Sequence, residues 1–300
     1  MIDIKKTSQQ KGKFIGGHHL CAGCGAGIIA RAAVNALSKK PLVVIVATGC
    51  LEVATTLIPK TNWLMPCLHL AFENAPAAAS GVWAAYQKTK YKQKLPEDLQ
   101  ILVIAGDGAS YDIGFQSLSG AAERNDNLIY LCYNNEAYMN TGVQRSSASP
   151  YCAETSTTPA GKKKNPKDLT KIMIAHNIEY AAQATAGDPI DLMNKIEKAS
   201  NYSGVKFINA LAPCTRGWGF DESKTVEIGI LAAETGFWPI YEFEKGKYKI
   251  NILKTKKIKE FLSMQKRYAH LFNPKENNQE IEKIQKMIDN NWRVLESQAK

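Results

Sequence analysis

Four short apolar runs punctuate the chain: Leu42–Ala47, Ile101–Ala105, Leu128–Tyr133 and Val205–Ala210. They are rich in Val, Ile and Leu with little polar alternation, as expected of strands buried on both faces of a parallel sheet. Between them lie helical patterns at Gly25–Leu37, Ala75–Thr89, Gly114–Arg124 and Pro189–Ala199. Strands alternating with helices predict a doubly wound, mainly parallel α/β sheet with helices on both faces. Ligands of such folds bind at the carboxyl ends of the strands. The segment Ser146–Lys167 is rich in Ser, Thr, Pro and Lys and reads as a long loop, functional or disordered. Past Glu242 the composition shifts, and Lys254–Phe272 and Gln279–Ser297 read as amphipathic helices. The expected division is an α/β domain over residues 1–240 and a basic C-terminal arm over residues 241–300, suited to wrapping a partner.

Charge adds one feature. The net charge of the 300 residues is +10, and residues 241–300 hold 14 Lys and Arg against 8 Asp and Glu. A basic surface suits nucleic acid, a membrane or an acidic protein partner, or is simply a solvated face. No zinc finger, helix-turn-helix or aromatic-interleaved basic motif supports nucleic acid. The longest apolar run, near Ala75–Tyr86, is too short to span a bilayer and is interrupted by Pro76, Ser80 and Gly81. The polar, lysine-rich stretch Met1–Lys13 has no apolar core of a secretory signal, so a cytoplasmic location is expected. Seven cysteines, an odd number, favour metal ligation or buried thiols over structural disulfides.

The run Ile101–Ala105 leads directly into Gly106-Asp107-Gly108, and 28 residues after Asp107 comes Asn135, at the end of the next run. If these strands are neighbours, an acidic turn and an amide share one rim. A hard divalent cation takes oxygen ligands and phosphate oxygens together. The Asp107 carboxylate, the Asn135 side-chain oxygen and a loop carbonyl supply half an octahedron, which a diphosphate would complete. Gly106 and Gly108 allow the backbone to approach phosphates closely. The plainer alternative is a strand-to-helix turn capped by an Asp.

The cysteines form a second constellation. Cys21 and Cys24 make a C-x-x-C ahead of the first helix, Cys50 follows the first strand, and Cys214 follows the run Val205–Ala210. Four thiolates meeting on that rim suit a [4Fe-4S] cluster or a tetrahedral zinc. A lone C-x-x-C is also compatible with a redox pair or with unrelated thiols.

Taken together, these motifs resemble the 2-oxoacid:ferredoxin oxidoreductases. Gly-Asp-Gly followed 25–30 residues later by Asn-Asn is similar to the signature of thiamine-diphosphate enzymes, and Asn134-Asn135-Glu136-Ala137-Tyr138-Met139-Asn140-Thr141-Gly142 looks like this family in particular. The segments around Cys21, Cys24, Cys50 and Cys214 resemble the proximal-cluster ligands of pyruvate:ferredoxin oxidoreductase. The resemblance spans roughly residues 15–240. It implies a thiamine-diphosphate-binding fold, with Mg²⁺ held by Asp107, Asn135 and the Ala137 carbonyl, and a [4Fe-4S] cluster on the four cysteines. Asn140 would lie near the thiazolium and the substrate. Cys67, Cys132 and Cys152 match no ligand position.

The activity implied is oxidative decarboxylation of a 2-oxoacid, pyruvate first, to acyl-CoA and CO₂, with coenzyme A taking the acyl group and electrons leaving through the cluster to ferredoxin. Only the diphosphate-binding half is present, so a pyrimidine-binding subunit would supply the activating glutamate. The chain lacks a ferredoxin-like C-x-x-C-x-x-C run, which places further clusters on a ferredoxin-like subunit. The rivals are an enzyme for branched-chain or other 2-oxoacids, a non-redox thiamine enzyme, and a zinc-stabilised binding subunit. His18, His19, Thr48, Glu52 and Asn74 are lesser candidates near the rim.

Overall fold

In the computed structural model an eight-stranded sheet forms the frame, and Gln9, residues 12–57 and residues 59–299 are described. Most of the Met1–Lys13 stretch lies outside these residues. The chain enters through helix α1 (Gly25–Ala36), strand β1 (Leu42–Ala47), the short α2 (Cys50–Thr55), β2 (Cys67–Leu70) and α3 (Ala75–Thr89). It continues through β3 (Gln100–Gly106), a π-helical turn at Gly108–Ile113, α4 (Phe115–Glu123) and β4 (Leu128–Asn134). After the long loop come α5 (Leu169–Ile174), β5 (Tyr180–Thr185), α6 (Pro189–Ala199) and β6 (Val205–Leu211). Helix α7 (Thr225–Glu234), the hairpin β7 (Tyr241–Glu244) and β8 (Lys247–Ile250), α8 (Ile258–Ser263) and α9 (Asn278–Gln298) complete the chain.

The strand order is β2-β1-β3-β4-β6-β5-β7-β8, parallel as far as β5, with β7 and β8 antiparallel at the edge. Alternation of side chains sorts the core into two layers. Val44, Val46, Leu102 and Ile104 pack on one face with Ile29, Ala33, Leu192 and Ile196 of α1 and α6. Ile45, Ala47, Ile101 and Val103 pack on the other with Ala79, Leu118 and Met173 of α3, α4 and α5. Helix α6 starts where its sequence directs: Asp188 accepts from the Asp191 N–H and Pro189 occupies the first turn. Among the described residues no helix is long and apolar enough to cross a membrane.

The segment set apart as a C-terminal arm begins inside this sheet, because β7 pairs with β5. A third apolar layer, with Trp218, Phe261, Ile281 and Ile284, fastens the remainder to the body. The helix expected over Lys254–Phe272 is shorter and broken: α8 stops at Ser263 and a 3₁₀ turn runs over Lys266–Leu271. The break lies at Gln265, whose extended backbone and buried side chain redirect the chain inward. Three lysines among the arm's 14 basic residues are paired nearby. Lys254 pairs with Asp289, Lys256 with Glu234 at 3.0 Å, and Lys259 with Glu276 at 2.7 Å.

Because β1, β3, β4 and β6 run parallel and adjacent, their carboxyl ends share one rim. The residues that follow them are Thr48–Cys50, Asp107, Asn135 and Ala212–Cys214.

Candidate functional site

Strands β3 and β4 are direct neighbours, with Gly106 opposite Tyr133, so Asp107 and Asn135 leave the sheet side by side. Asp107 is 1% exposed. One terminal atom of the Asn135 amide lies 2.8 Å from Asp107 Oδ1 and 2.9 Å from the Ala137 carbonyl oxygen. The atom facing these two acceptors is the amide NH₂, which donates to both. Ser146 Oγ donates to Asp107 Oδ2 at 2.5 Å. Burial nevertheless pushes the Asp107 carboxyl up to about 7, outweighing the hydrogen bonds from Ser146 and the backbone. This is the donor set of a hard cation: a buried carboxylate, an amide and a carbonyl, held on one rim.

A cavity of ≈ 170 Å³ opens beside these groups, lined by Gly49, Phe72, Gly108, Tyr138 and Asn140 among others. The glycines also make room for aromatic neighbours. A Cβ on Gly108 would stand 2.4 Å from the Tyr138 ring, and one on Gly106 would stand 3.3 Å from the Tyr133 ring. Tyr138 in turn donates to Asp112 Oδ2 at 3.0 Å, and the Ser147 N–H donates to the same oxygen at 3.0 Å.

The long loop is packed over the motif. Ser149 Oγ donates to the Glu136 carbonyl at 2.6 Å, and Lys162 Nζ donates to the Ser149 carbonyl at 2.5 Å. Burial lowers the Lys162 ammonium to about 8. Ser146, Ser149 and Lys162 therefore belong to the site. Composition marked this stretch as a loop and gave no sign of which residues reach inward.

Cys21, Cys24, Cys50 and Cys214 all line one cavity of ≈ 310 Å³, together with His19, Asn135 and Asn140. Cys24 immediately precedes α1, Cys50 opens α2, and Cys214 precedes the turn Thr215–Gly219. Three of the four sulfurs thus sit at starts of helical turns, where N–H groups are free to point at them. Gly217 N donates to Cys214 Sγ at 3.3 Å. Burial dominates all the same: it pushes Cys24 up to about 11 and Cys50 up to about 12, helped by the neighbouring thiols. Such thiols ionise when a metal supplies the positive charge. Among the described residues, no three Cys, His, Asp or Glu side chains converge as ligands of a single ion. A four-iron cubane interposes its own irons and sulfides, so it takes thiolates standing farther apart. Cys132 is fully buried in β4, Cys152 is buried in the loop, and Cys67 lies on the edge strand β2.

The two cavities share Cys50, Asn135 and Asn140 as walls. Of the lesser candidates, Thr48 lines the first cavity and His19 the second, whereas Glu52 and Asn74 line neither. Glu52 lies 3.1 Å from His69. His18 lines a groove on the outer side of Cys21 and Cys24. Sequence reasoning missed Trp218 and Arg267. Trp218 Nε1 donates to the Asn135 carbonyl at 2.8 Å, and Arg267 lies 2.7 Å from Glu136. Neither carries a motif, and Arg267 lies 131 residues beyond its partner.

A doubly wound sheet that gathers a buried carboxylate, an amide and a carbonyl beside a cavity at its carboxyl rim defines the class of thiamine-diphosphate-binding domains. Residues 47–210 match the family model of the thiamine pyrophosphate enzyme C-terminal TPP binding domain. The pyruvate synthase subunit PorB of Methanocaldococcus jannaschii is 50% identical over 291 residues, covering 94% of this chain and 96% of that protein. The pyruvate synthase subunit PorB of Thermotoga maritima is 42% identical, covering 98% and 95%. The ketoisovalerate oxidoreductase subunit VorB of Pyrococcus abyssi is 39% identical, covering 99% and 97%. A solved 2-oxoglutarate:ferredoxin oxidoreductase from Magnetococcus marinus superposes with a TM-score of 0.57 at 26% identity, over 68% of this chain and 66% of that one. The chain belongs to the 2-oxoacid:ferredoxin oxidoreductases, as the thiamine-diphosphate-binding subunit of a multi-subunit enzyme.

Proposed function

We propose that this subunit serves the oxidative decarboxylation of pyruvate to acetyl-CoA and CO₂, and that it carries a [4Fe-4S] cluster beside its thiamine diphosphate. The observation that carries the reading is the shared wall: Cys50, Asn135 and Asn140 border both the diphosphate pocket and the four-cysteine cavity. Electrons leaving the cofactor then have a metal site next to them. Thiamine diphosphate supplies the carbanion chemistry when bound. Asp107, Asn135 and the Ala137 carbonyl hold Mg²⁺ against its diphosphate. Asn140, on the wall of both cavities, orients the substrate. Cys21, Cys24, Cys50 and Cys214 ligate the cluster. A non-redox thiamine enzyme has no use for that cavity, and a mononuclear zinc is poorly served by its spacing.

The partners in this reading are a pyrimidine-binding subunit, which completes the cofactor site, a ferredoxin-like subunit, and ferredoxin as acceptor, with coenzyme A as acyl acceptor. A cytoplasmic location fits seven unpaired thiols. The similarity to a ketoisovalerate enzyme keeps a branched-chain substrate as the second reading. Iron analysis and electron paramagnetic resonance on the anaerobically purified complex test the cluster, and initial rates with pyruvate against 3-methyl-2-oxobutanoate test the substrate. A complex without iron on this subunit, or one that prefers the branched acid, overturns the corresponding half.

A further inference from the structure

One cationic side chain stands behind both halves of the site. Arg267 lies on the 3₁₀ turn after α8, just past the break at Gln265. Gln265 fixes it there: its Nε2 donates to the Phe261 carbonyl at 2.6 Å, and its Oε1 accepts from Arg267 Nε at 2.8 Å. Arg267 Nη1 lies 2.7 Å from Glu136 Oε2, and the two side chains are 4% and 3% exposed. The guanidinium also stands over Trp218, with its central carbon 3.9 Å from the ring centroid.

Each contact leads to a different half of the site. Glu136 separates Asn135 from Ala137 and has φ +69°, a left-handed conformation in which a glutamate persists only when its surroundings hold it. Its N–H donates to Asn134 Oδ1 at 3.0 Å, and the ion pair fixes its other end. This conformation lets the Asn135 amide and the Ala137 carbonyl face the same point. Trp218 adds a second hold through the Asn135 carbonyl at 2.8 Å. On the other side, Trp218 N donates to the Cys214 carbonyl at 2.9 Å, and the turn between them carries the N–H that reaches Cys214 Sγ. Stacked on Trp218, the Arg267 guanidinium stands beside the turn Thr215–Gly219 that follows Cys214.

We propose that Arg267 is a positioning residue for the metal loop and the group that sets the cluster's potential. Through Glu136 and Trp218 it keeps Asn135 and Ala137 facing the cation site. Through its charge it favours the reduced cluster, because adding one electron adds one negative charge beside a buried, weakly screened cation. The second part rests on the cluster ligands proposed above.

The test uses the assembled complex, purified without oxygen, with Arg267→Met, Arg267→Lys and Glu136→Gln in this subunit. Iron content is measured first, then the cluster midpoint by redox titration followed with electron paramagnetic resonance, and thiamine diphosphate affinity by calorimetry. Arg267→Met moves the midpoint to lower potential and weakens cofactor affinity at least tenfold, because a buried carboxylate is left unpaired beside the loop. Glu136→Gln moves the midpoint the opposite way, because the cation then acts on the cluster without its counter-charge. Arg267→Lys keeps the charge and holds the midpoint near the wild type. If Arg267→Met does not assemble, the upward shift in Glu136→Gln still decides the question. Midpoints that do not move, or that move together in one direction, overturn the proposal and leave Arg267 a packing residue. Wild-type complex without iron here overturns the cluster reading itself, an outcome distinct from an iron-loaded complex with unmoved midpoints.

Discussion

Replacing Asp107 by Asn keeps size and shape and removes the one carboxylate of the cation site. Two effects of opposite sign follow. In the cofactor-free protein the wild-type carboxyl is raised from 3.8 to about 7, chiefly by burial. A carboxyl whose folded pKa lies above its unfolded value leaves stability intact below about 4, erodes it as pH rises toward 7, and imposes its full penalty above that. The penalty at pH 8 is about 4 kcal/mol by linkage. Asn has no charge to desolvate and still accepts from Ser146 Oγ, so the variant without cofactor is the more stable protein at pH 8. Binding goes the other way. Losing the charged partner of a buried cation costs about 3–5 kcal/mol, so Mg²⁺-dependent affinity for thiamine diphosphate falls by about 10²–10⁴-fold. The assay is thermal melting of the complex at pH 8, with and without Mg²⁺ and thiamine diphosphate, alongside calorimetry. The wild type gains stability with cofactor. The variant starts higher and gains none. Unchanged cofactor affinity in Asp107→Asn would refute the cation assignment, and a lower melting point without cofactor would refute the account of the buried charge.

Other outcomes follow from the same structure. Cys214→Ser loses the cluster, measured as iron and visible absorbance, whereas Cys132→Ser, in the core of β4, keeps it; the reverse pattern shows that the ligand set is wrong. Lys206, 2% exposed and donating to Asn127 Oδ1 at 2.5 Å, is lowered by burial to about 7, so its ammonium is favoured less in the folded state than in the unfolded chain. Stability from this group is therefore present above about pH 10.5 and lost as pH falls toward 7, and Lys206→Met stabilises the complex at pH 7 by a few kcal/mol while flattening this pH dependence, read from urea midpoints. The isolated chain does not oxidise 2-oxoacids, even with cofactor and a viologen acceptor, and turnover by the purified single chain removes the need for a pyrimidine-binding partner.

The buried parallel strands were legible because both-face burial writes itself as continuous apolar runs; helix α3 spans the range its pattern marks, and α6 also starts at its Asp188 cap. Strand β5 was not, since Tyr-Ala-Ala-Gln-Ala-Thr has little β-branching and is a strand only because β6 and β7 flank it. The hairpin β7–β8 was hidden in a charged stretch, Glu242 to Lys249, that reads as solvent-facing. At the site, Asp107 and Asn135 were found because strand adjacency carries a local motif to one rim. Arg267 and Trp218 lay beyond reach because their partners are fixed by tertiary packing, and a basic arm offers many arginines and lysines with no mark on the one that turns inward. Three of the arm's lysines are held by acidic side chains: Lys254 and Lys259 within the arm, and Lys256 by Glu234 outside it.

The central claim is that thiamine diphosphate and an iron–sulfur cluster lie side by side on this chain and exchange electrons. Anaerobic mixing of the complex with pyruvate and coenzyme A, without ferredoxin, tests it by the visible absorbance of the cluster. The account predicts bleaching that requires thiamine diphosphate and disappears in Asp107→Asn while the iron content stays unchanged. An iron-loaded complex that is not bleached by any 2-oxoacid, or bleaching that survives the loss of the cofactor, would contradict it.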